Sequence, residues 1–195
     1  MNNHSIDKEI SYYQEICQKF IKYLMPTLPE GSKIEYSFNK NLGQQIKDIS
    51  DKLHESPNFD TLRASTLKID ILLGIKIPNK STKYILFEVK YSNQLTLNDY
   101  SQLIGYLQVA KNLNIGILFL VFKDEPLNAL SKDFSQLLNL NNIALEWEIK
   151  EPNNDINSFK VGICKYMPGN GIEWVNTDIN KGIKNFDELK KLLDK

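Results

Sequence analysis

Apolar residues recur along the chain in two rhythms, and each predicts its own kind of element. Over 5–25, Ile6, Ile10, Tyr13, Cys17, Phe20, Ile21 and Leu24 fall at the three-and-four spacing of an amphipathic helix. Ser5 stands where a helix cap belongs, and Pro26 and Pro29 forbid continuation. Residues 33–39 change to strict alternation, with Ile34, Tyr36 and Phe38 on one side, the pattern of a half-buried strand. Over 43–55 a thin stripe of Ile46, Ile49 and Leu53 predicts a second helix with a wide polar face. Residues 56–66 are loop by composition.

The middle of the chain is its most apolar part. Residues 68–77 and 83–91 are nearly continuous apolar runs joined by the turn-forming stretch 78–81. Two such runs around a short turn predict a β-hairpin, and the lack of alternation predicts cover on both faces. A helix is expected at 95–113, with a core stripe of Tyr100, Leu103, Ile104, Leu107 and Ala110. Strand 115–122 follows, and the helix between it and 83–91 is long enough for a parallel crossover. A helix at 126–140 carries Leu127, Leu130, Phe134, Leu137 and Leu138 on its apolar side. Strands at 143–149 and 159–166, with a loop at 153–158 between them, and a short helix at 184–194 complete the pattern. The expected fold is α/β, a mixed central sheet flanked by helices, in one domain over 1–195.

Composition narrows the chemistry. A chain of 195 residues can bury one real core. Lys and Arg number 24, as do Asp and Glu, so the formal net charge is zero. That balance argues against a tight non-specific polyanion binder and leaves room for an enzyme with a local basic groove. Cys17 and Cys164 lie far apart among apolar neighbours and read as reduced core residues. The two histidines, His4 and His54, sit in polar surroundings without ligand-like spacing. Any metal would therefore be held by oxygen. The N-terminal residues form no apolar signal segment, and the longest apolar run, Ile115 to Phe122, is far short of the roughly 20 residues a membrane span needs. A cytoplasmic protein without a membrane partner is expected.

Charged residues inside the doubly covered hairpin stand out. Burying a carboxylate is costly unless a partner or a metal answers it. Glu88 and Lys90 are two apart on a strand and share a face. Asp70 lies on the preceding strand, and positions 70 and 88 are equidistant from the turn at 79, so they fall opposite one another. Hairpin geometry alone thus gathers Asp70, Glu88 and Lys90 at one strand end. Two carboxylates suit a hard divalent cation such as Mg²⁺, and a lysine can orient an attacking water or neutralise developing charge. A structural ion pair at a sheet edge is the plainer alternative.

Asp70, followed by Glu88-Val89-Lys90 at the end of an apolar strand, resembles the motif of the PD-(D/E)XK nuclease superfamily. The resemblance covers about residues 5–122 and leaves 123–195 as an extension of the same domain. Ile69 stands where the motif's name has proline. The likeness implies a restriction-endonuclease-like αβββαβ core and Mg²⁺-dependent hydrolysis of phosphodiester bonds, mostly in DNA, with Mn²⁺ as a substitute cofactor. By it, Asp70 and Glu88 are metal ligands, the Val89 carbonyl is a further ligand, and Lys90 is the catalytic lysine.

Further residues extend the expectation. Gln102 and Tyr106 are four apart on the 95–113 helix, on a face turned away from its main stripe. They resemble a Gln-x-x-x-Tyr element of some superfamily branches, which implies that Gln102 touches the site or the DNA backbone with Tyr106 beside it. A surface glutamine and a partly buried tyrosine are the alternative. Glu9 falls between Ile16 and Phe20 on the helical wheel, inside the apolar sector. The superfamily often draws an acidic metal ligand from its first helix, and the alternative for Glu9 is a helix-end side chain reaching solvent. Arg63, the only arginine, and Lys68 are candidates for phosphate contacts. The expected function is a DNA endonuclease of restriction, repair or defence. The rival is a nuclease-fold module that binds nucleic acid or assembles without cutting. RNA stays open as the polymer, and a homodimer would suit cleavage of both strands of a duplex. Segment 140–182, with Trp147 and Trp174, is a candidate for dimerisation or substrate choice.

Overall fold

The computed structural model describes residues 9–56, 66–110, 113–122, 128–140, 143–150, 156–175 and 181–194. Their elements are α1 (Tyr13–Leu24), a 3₁₀ turn (Met25–Thr27), β1 (Lys33–Asn41), α2 (Leu42–Leu53), β2 (Lys68–Lys76), β3 (Lys83–Tyr91), α3 (Leu97–Val109), β4 (Ile115–Val121), α4 (Lys132–Asn139), β5 (Glu146–Lys150), β6 (Ile156–Met167), β7 (Gly171–Trp174) and α5 (Phe186–Leu193). Among the described residues the strands form one seven-stranded mixed sheet in the order β1-β2-β3-β4-β6-β5, with β7 paired to β6. The β3–β4 and β4–β6 pairs at the centre are parallel, while β1–β2, β2–β3, β5–β6 and β6–β7 are antiparallel.

The hairpin forms as its pattern predicts. Ile71 faces Phe87 and Gly74 faces Tyr84, so the register is centred on residue 79. Asn79 takes a left-handed φ of 64° there, a conformation asparagine tolerates in tight turns. Gly74 has a packing reason: a Cβ at that position would stand 2.4 Å from a methyl of Ile49.

The sheet is buried on both faces, as the unbroken apolar runs require. One face packs against α2, α3 and α4, through Leu72, Leu86, Leu118 and Leu120 meeting Ile46, Leu103 and Phe134. The other packs against α1 and α5, through Ile71, Phe87, Val89 and Phe119 meeting Ile16, Phe20 and Leu189. Phe20 sits at the centre of this second layer, edge-on to Phe87 at 4.8 Å and to Phe186 at 5.0 Å between ring centroids. Cys17 and Cys164 are buried free thiols, and His54 is an exposed left-handed residue at the end of α2.

Several elements differ from the pattern. The helix expected at 126–140 begins only at Lys132, because Ser131 accepts the Phe134 N–H as its cap. Leu130 instead forms a β-bridge with Leu95. β6 starts at Ile156, inside the stretch read as loop. β7 is a strand the pattern did not reveal, formed by a hairpin through the 167–171 turn. Ser5, His4 and most of the 56–66 loop lie outside the described residues. No helix among the described residues is long and apolar enough to cross a membrane.

Replacing Phe20 by Ala removes the ring at the centre of the α1 layer. The expected cost is about 3–5 kcal/mol, read as a lowered urea midpoint with an unchanged slope.

Candidate active site

The alternation of β3 decides which way its charges point. Tyr84 and Leu86 pack on the α2–α3 face, Ile85, Phe87 and Val89 on the α1 face. Glu88 and Lys90 therefore lie on the α3 side. Glu88 is fully buried, at 0% exposure. Its Oε1 is 2.6 Å from Lys90 Nζ, and its Oε2 has no hydrogen-bond partner among the described residues. Lys90 Nζ also donates to Gln102 Oε1 at 3.1 Å. Gln102 Nε2 in turn donates to the Tyr106 hydroxyl at 2.8 Å. The four-residue spacing on α3 that made this pair visible in the sequence is what lets one amide join the lysine to the tyrosine. Tyr106 is half-buried against the α3-side core. α3 is held at its start by a capping box between Thr96 and Asp99.

Asp70 enters where the β2–β3 ladder stops. The last paired residues are Ile71 and Phe87. One alternation further on, the Val89 N–H donates to Asp70 Oδ2 at 2.8 Å. One alternation beyond that, the Tyr91 N–H donates to Glu9 Oε2 at 3.1 Å. Val89 and Tyr91 point their amides to the same edge of β3, so two carboxylates cap the two amides that β2 leaves unpaired. The Val89 carbonyl faces that edge as well, since a strand residue presents both its polar groups to one neighbour. Glu9 Oε1 accepts the Tyr13 hydroxyl at 2.9 Å, and that hydroxyl also lies close enough to Asp70 to act on its charge.

The backbone is irregular at this point. Ile69 and Ile71, two apart on β2, pack into opposite cores. Across from Asp70 in β1, between the pairs Phe38–Ile71 and Lys40–Ile69, Asn39 has a φ of 54°. A left-handed residue inside a strand marks a local kink that re-aims side chains. Here it accompanies the departure of Asp70 from regular pairing.

Burial shapes the electrostatics. It pushes the Glu88 carboxyl up to about 8, with the Asp70 charge adding to the effect and Lys90 opposing it. Burial also raises Glu9, again with Asp70 adding to it. Asp70 is raised by burial, partly offset by the Val89 N–H and the Tyr13 hydroxyl. Burial works against the charge on Lys90, but Glu88, Asp70 and Glu9 together outweigh it and hold the ammonium above its ordinary value. The Tyr13 hydroxyl is pushed far up by burial and by the two carboxylates beside it. The cluster is short of positive charge, having three carboxyls and one ammonium.

The structure thus brings together Asp70, Glu88, Lys90, Gln102 and Glu9, with Val89 supplying backbone and Tyr106 adjoining Gln102. Lys68 is exposed at the start of β2, and its charge acts on Asp70. Arg63 lies outside the described residues. Two participants were not anticipated. Tyr13 reads as plain core in the helical stripe, although it follows Glu9 by four positions and its hydroxyl needs a partner. Gln45, fully buried, donates to the carbonyls of Lys40 and Ile69 at 3.0 and 2.9 Å. It stands three after Leu42 and four before Ile49, inside the apolar stripe of α2, and that spacing is the signal that could have marked it.

Compared with protein-family models, curated proteins and solved structures, the chain matches none. Among the described residues no three His, Cys, Asp or Glu side chains form a ready-made metal cage. The donors nonetheless suit a hard cation: two carboxylates, one with a buried unpartnered oxygen, beside a backbone carbonyl.

The raised Glu88 makes stability depend on pH with a definite sign. The folded carboxyl stays protonated up to about 8, whereas its ordinary value is 4.5. Between these values the folded state binds the extra proton, so stability falls as pH rises through the window. Glu88→Gln removes this proton. In chelator, the variant is expected to gain on the wild type from pH 5 to 8, by up to about 1.4 kcal/mol per pH unit. Parallel melting-temperature profiles for the two proteins would contradict the assignment.

Proposed function

We propose that the chain is a divalent-metal-dependent nuclease of the PD-(D/E)XK type, cleaving phosphodiester bonds of DNA. The observation that carries this reading is the convergence, at one open strand end, of Asp70, Glu88 and Lys90 with Gln102 reaching Lys90 from α3. The element order from α1 to β4 supports it. With α2 set aside, that order is the αβββαβ succession of restriction-endonuclease-like cores.

Asp70, Glu88 and the Val89 carbonyl would hold Mg²⁺ or Mn²⁺, with Glu9 near by to support them. The bound cation would supply a water of lowered pKa and polarise the phosphoryl group. The chain's own residues do the rest. Lys90 is kept charged by the carboxyls gathered around it, Glu88, Asp70 and Glu9 together, so its ammonium serves as a donor that orients water and offsets charge growing on the phosphate oxygens. Gln102 keeps that ammonium from swinging away, and Tyr106 keeps Gln102 in place. Glu88 carries a proton at neutral pH when no cation answers it, so cation binding releases that proton and strengthens as pH rises. Lys68, exposed beside Asp70, is suited to meet a backbone phosphate.

A second reading is a nuclease-fold module that binds nucleic acid without cutting. The lack of a ready three-donor cage among the described residues favours it. Linear, circular and single-stranded DNA, and RNA, incubated with and without Mg²⁺ or Mn²⁺, separate the two readings. Under the nuclease reading, wild type cleaves DNA only with the metal. Asp70→Ala, Glu88→Ala and Lys90→Ala lose at least about a hundredfold in rate while keeping a cooperative melt. Undiminished cleavage by the three variants sinks the assignment, and metal-dependent binding without any product supports the second reading.

A further inference from the structure

A regular ladder would give the Val89 N–H a different acceptor from the one it has. Regular antiparallel pairing would continue the ladder from Ile71–Phe87 to Ile69–Val89 and give it the Ile69 carbonyl. The structure instead gives it the Asp70 carboxylate. Something must satisfy the Ile69 carbonyl, since a buried unpaired carbonyl is costly. That group is the side-chain amide of Gln45, which donates to Ile69 O at 2.9 Å and to Lys40 O at 3.0 Å. Contact with two carbonyls leaves no ambiguity about which end of the amide is nitrogen. Gln45 is at 0% exposure, and its own Oε1 is buried without a hydrogen-bond partner among the described residues. A polar side chain is thus kept in the core with half its capacity unmet, and its other half is spent on the Lys40 carbonyl and on the Ile69 carbonyl that a regular ladder would pair with Val89.

We infer that Gln45 is a positioning residue: by occupying the Ile69 carbonyl it holds the β2–β3 ladder open and leaves the Asp70 carboxylate to take the Val89 amide at the site. The three parts act together. α2 starts directly after β1, so its first turn brings Gln45 under the end of β2. Asn39 in its left-handed conformation kinks β1 opposite Asp70. Gln45 then bridges the kinked β1 to β2 through Lys40 and Ile69. Without the amide, Ile69 O takes back the Val89 N–H, the ladder closes by one pair, and Asp70 loses the donor that fixes its Oδ2. The geometric part of this inference stands alone, and only its consequence for cation binding rests on the proposed function.

The test uses Gln45→Met, which keeps length and removes the donor, with Gln45→Glu as a second variant of the same shape. Gln44→Met, at an exposed neighbour bonded to Asp48, is the control. Crystal structures of the variants report the partner of the Val89 amide, and thermal shifts in a Mn²⁺ titration report cation affinity. The expected result is a Val89 N–H paired to Ile69 O, with apparent Mn²⁺ affinity at least about tenfold weaker than in wild type and control. A folded variant that keeps the Val89–Asp70 hydrogen bond and the wild-type Mn²⁺ response overturns the inference. So does failure of both variants to fold beside a folded control, which would make Gln45 a support of the whole core. If wild type itself gives no Mn²⁺ shift, the metal reading fails. The crystal structures then still decide for or against Gln45.

Discussion

Three carboxyls and one ammonium share the open end of the β2–β3 hairpin, and the sheet around them admits little water. A carboxylate taken out of water must be answered by a proton, a donor or a cation. Asp70 is answered by the Val89 amide, Glu9 by the Tyr91 amide and the Tyr13 hydroxyl, and Glu88 by Lys90 on one oxygen only. The remaining deficit shows in the upward displacement of all three carboxyls. The arrangement is costly for the folded chain and suited to a divalent cation. Carboxyls displaced in this way gather at functional sites and also in structural ion-pair networks, and the proposed function takes the first of these.

The rest of the architecture serves to keep that end open and furnished. α1 and α3 lie on opposite faces of the sheet, yet each sends a polar side chain to the same strand end, Glu9 from just before α1 and Gln102 from α3. They can do so because β3 extends past the last pair with β2, so its edge amides and its side chains are both reachable there. The two cores hold the helices at fixed depth. Phe20 locks α1 onto Phe87, while Leu103 and Leu107 seat α3 over β4 beside Gly116, where a Cβ would stand only 2.9 Å from Leu107. Close packing on both faces therefore sets the distance between Lys90 and Gln102 as surely as the hydrogen bond does.

Much of this was legible before the structure. Period two on β3 placed Glu88 with Lys90, the turn at 78–81 centred the register on residue 79, and the four-residue step joined Gln102 to Tyr106. Glu9 declared itself as a charge inside an apolar sector. Tyr13 did not, because a tyrosine in a helical stripe packs like any core residue and only its hydroxyl distinguishes it. Helix and strand ends were the weak points, as at α4, where the Ser131 cap and the Leu95–Leu130 bridge outrank the leucine periodicity. β7 escaped because its four residues are too few to show a period.

By itself the sequence determined the alternation of strands and helices, the hairpin, and the company that Asp70, Glu88 and Lys90 keep. These depend on spacing along the chain, and spacing is local. Only the tertiary structure decided that the ladder ends at Ile71–Phe87 and that the next amides go to Asp70 and Glu9. It alone showed Gln45 taking the Ile69 carbonyl. Those choices are competitions between acceptors from distant segments for the same few donors. Which acceptor wins depends on where packing sets the helices, and no pattern along one segment can state that.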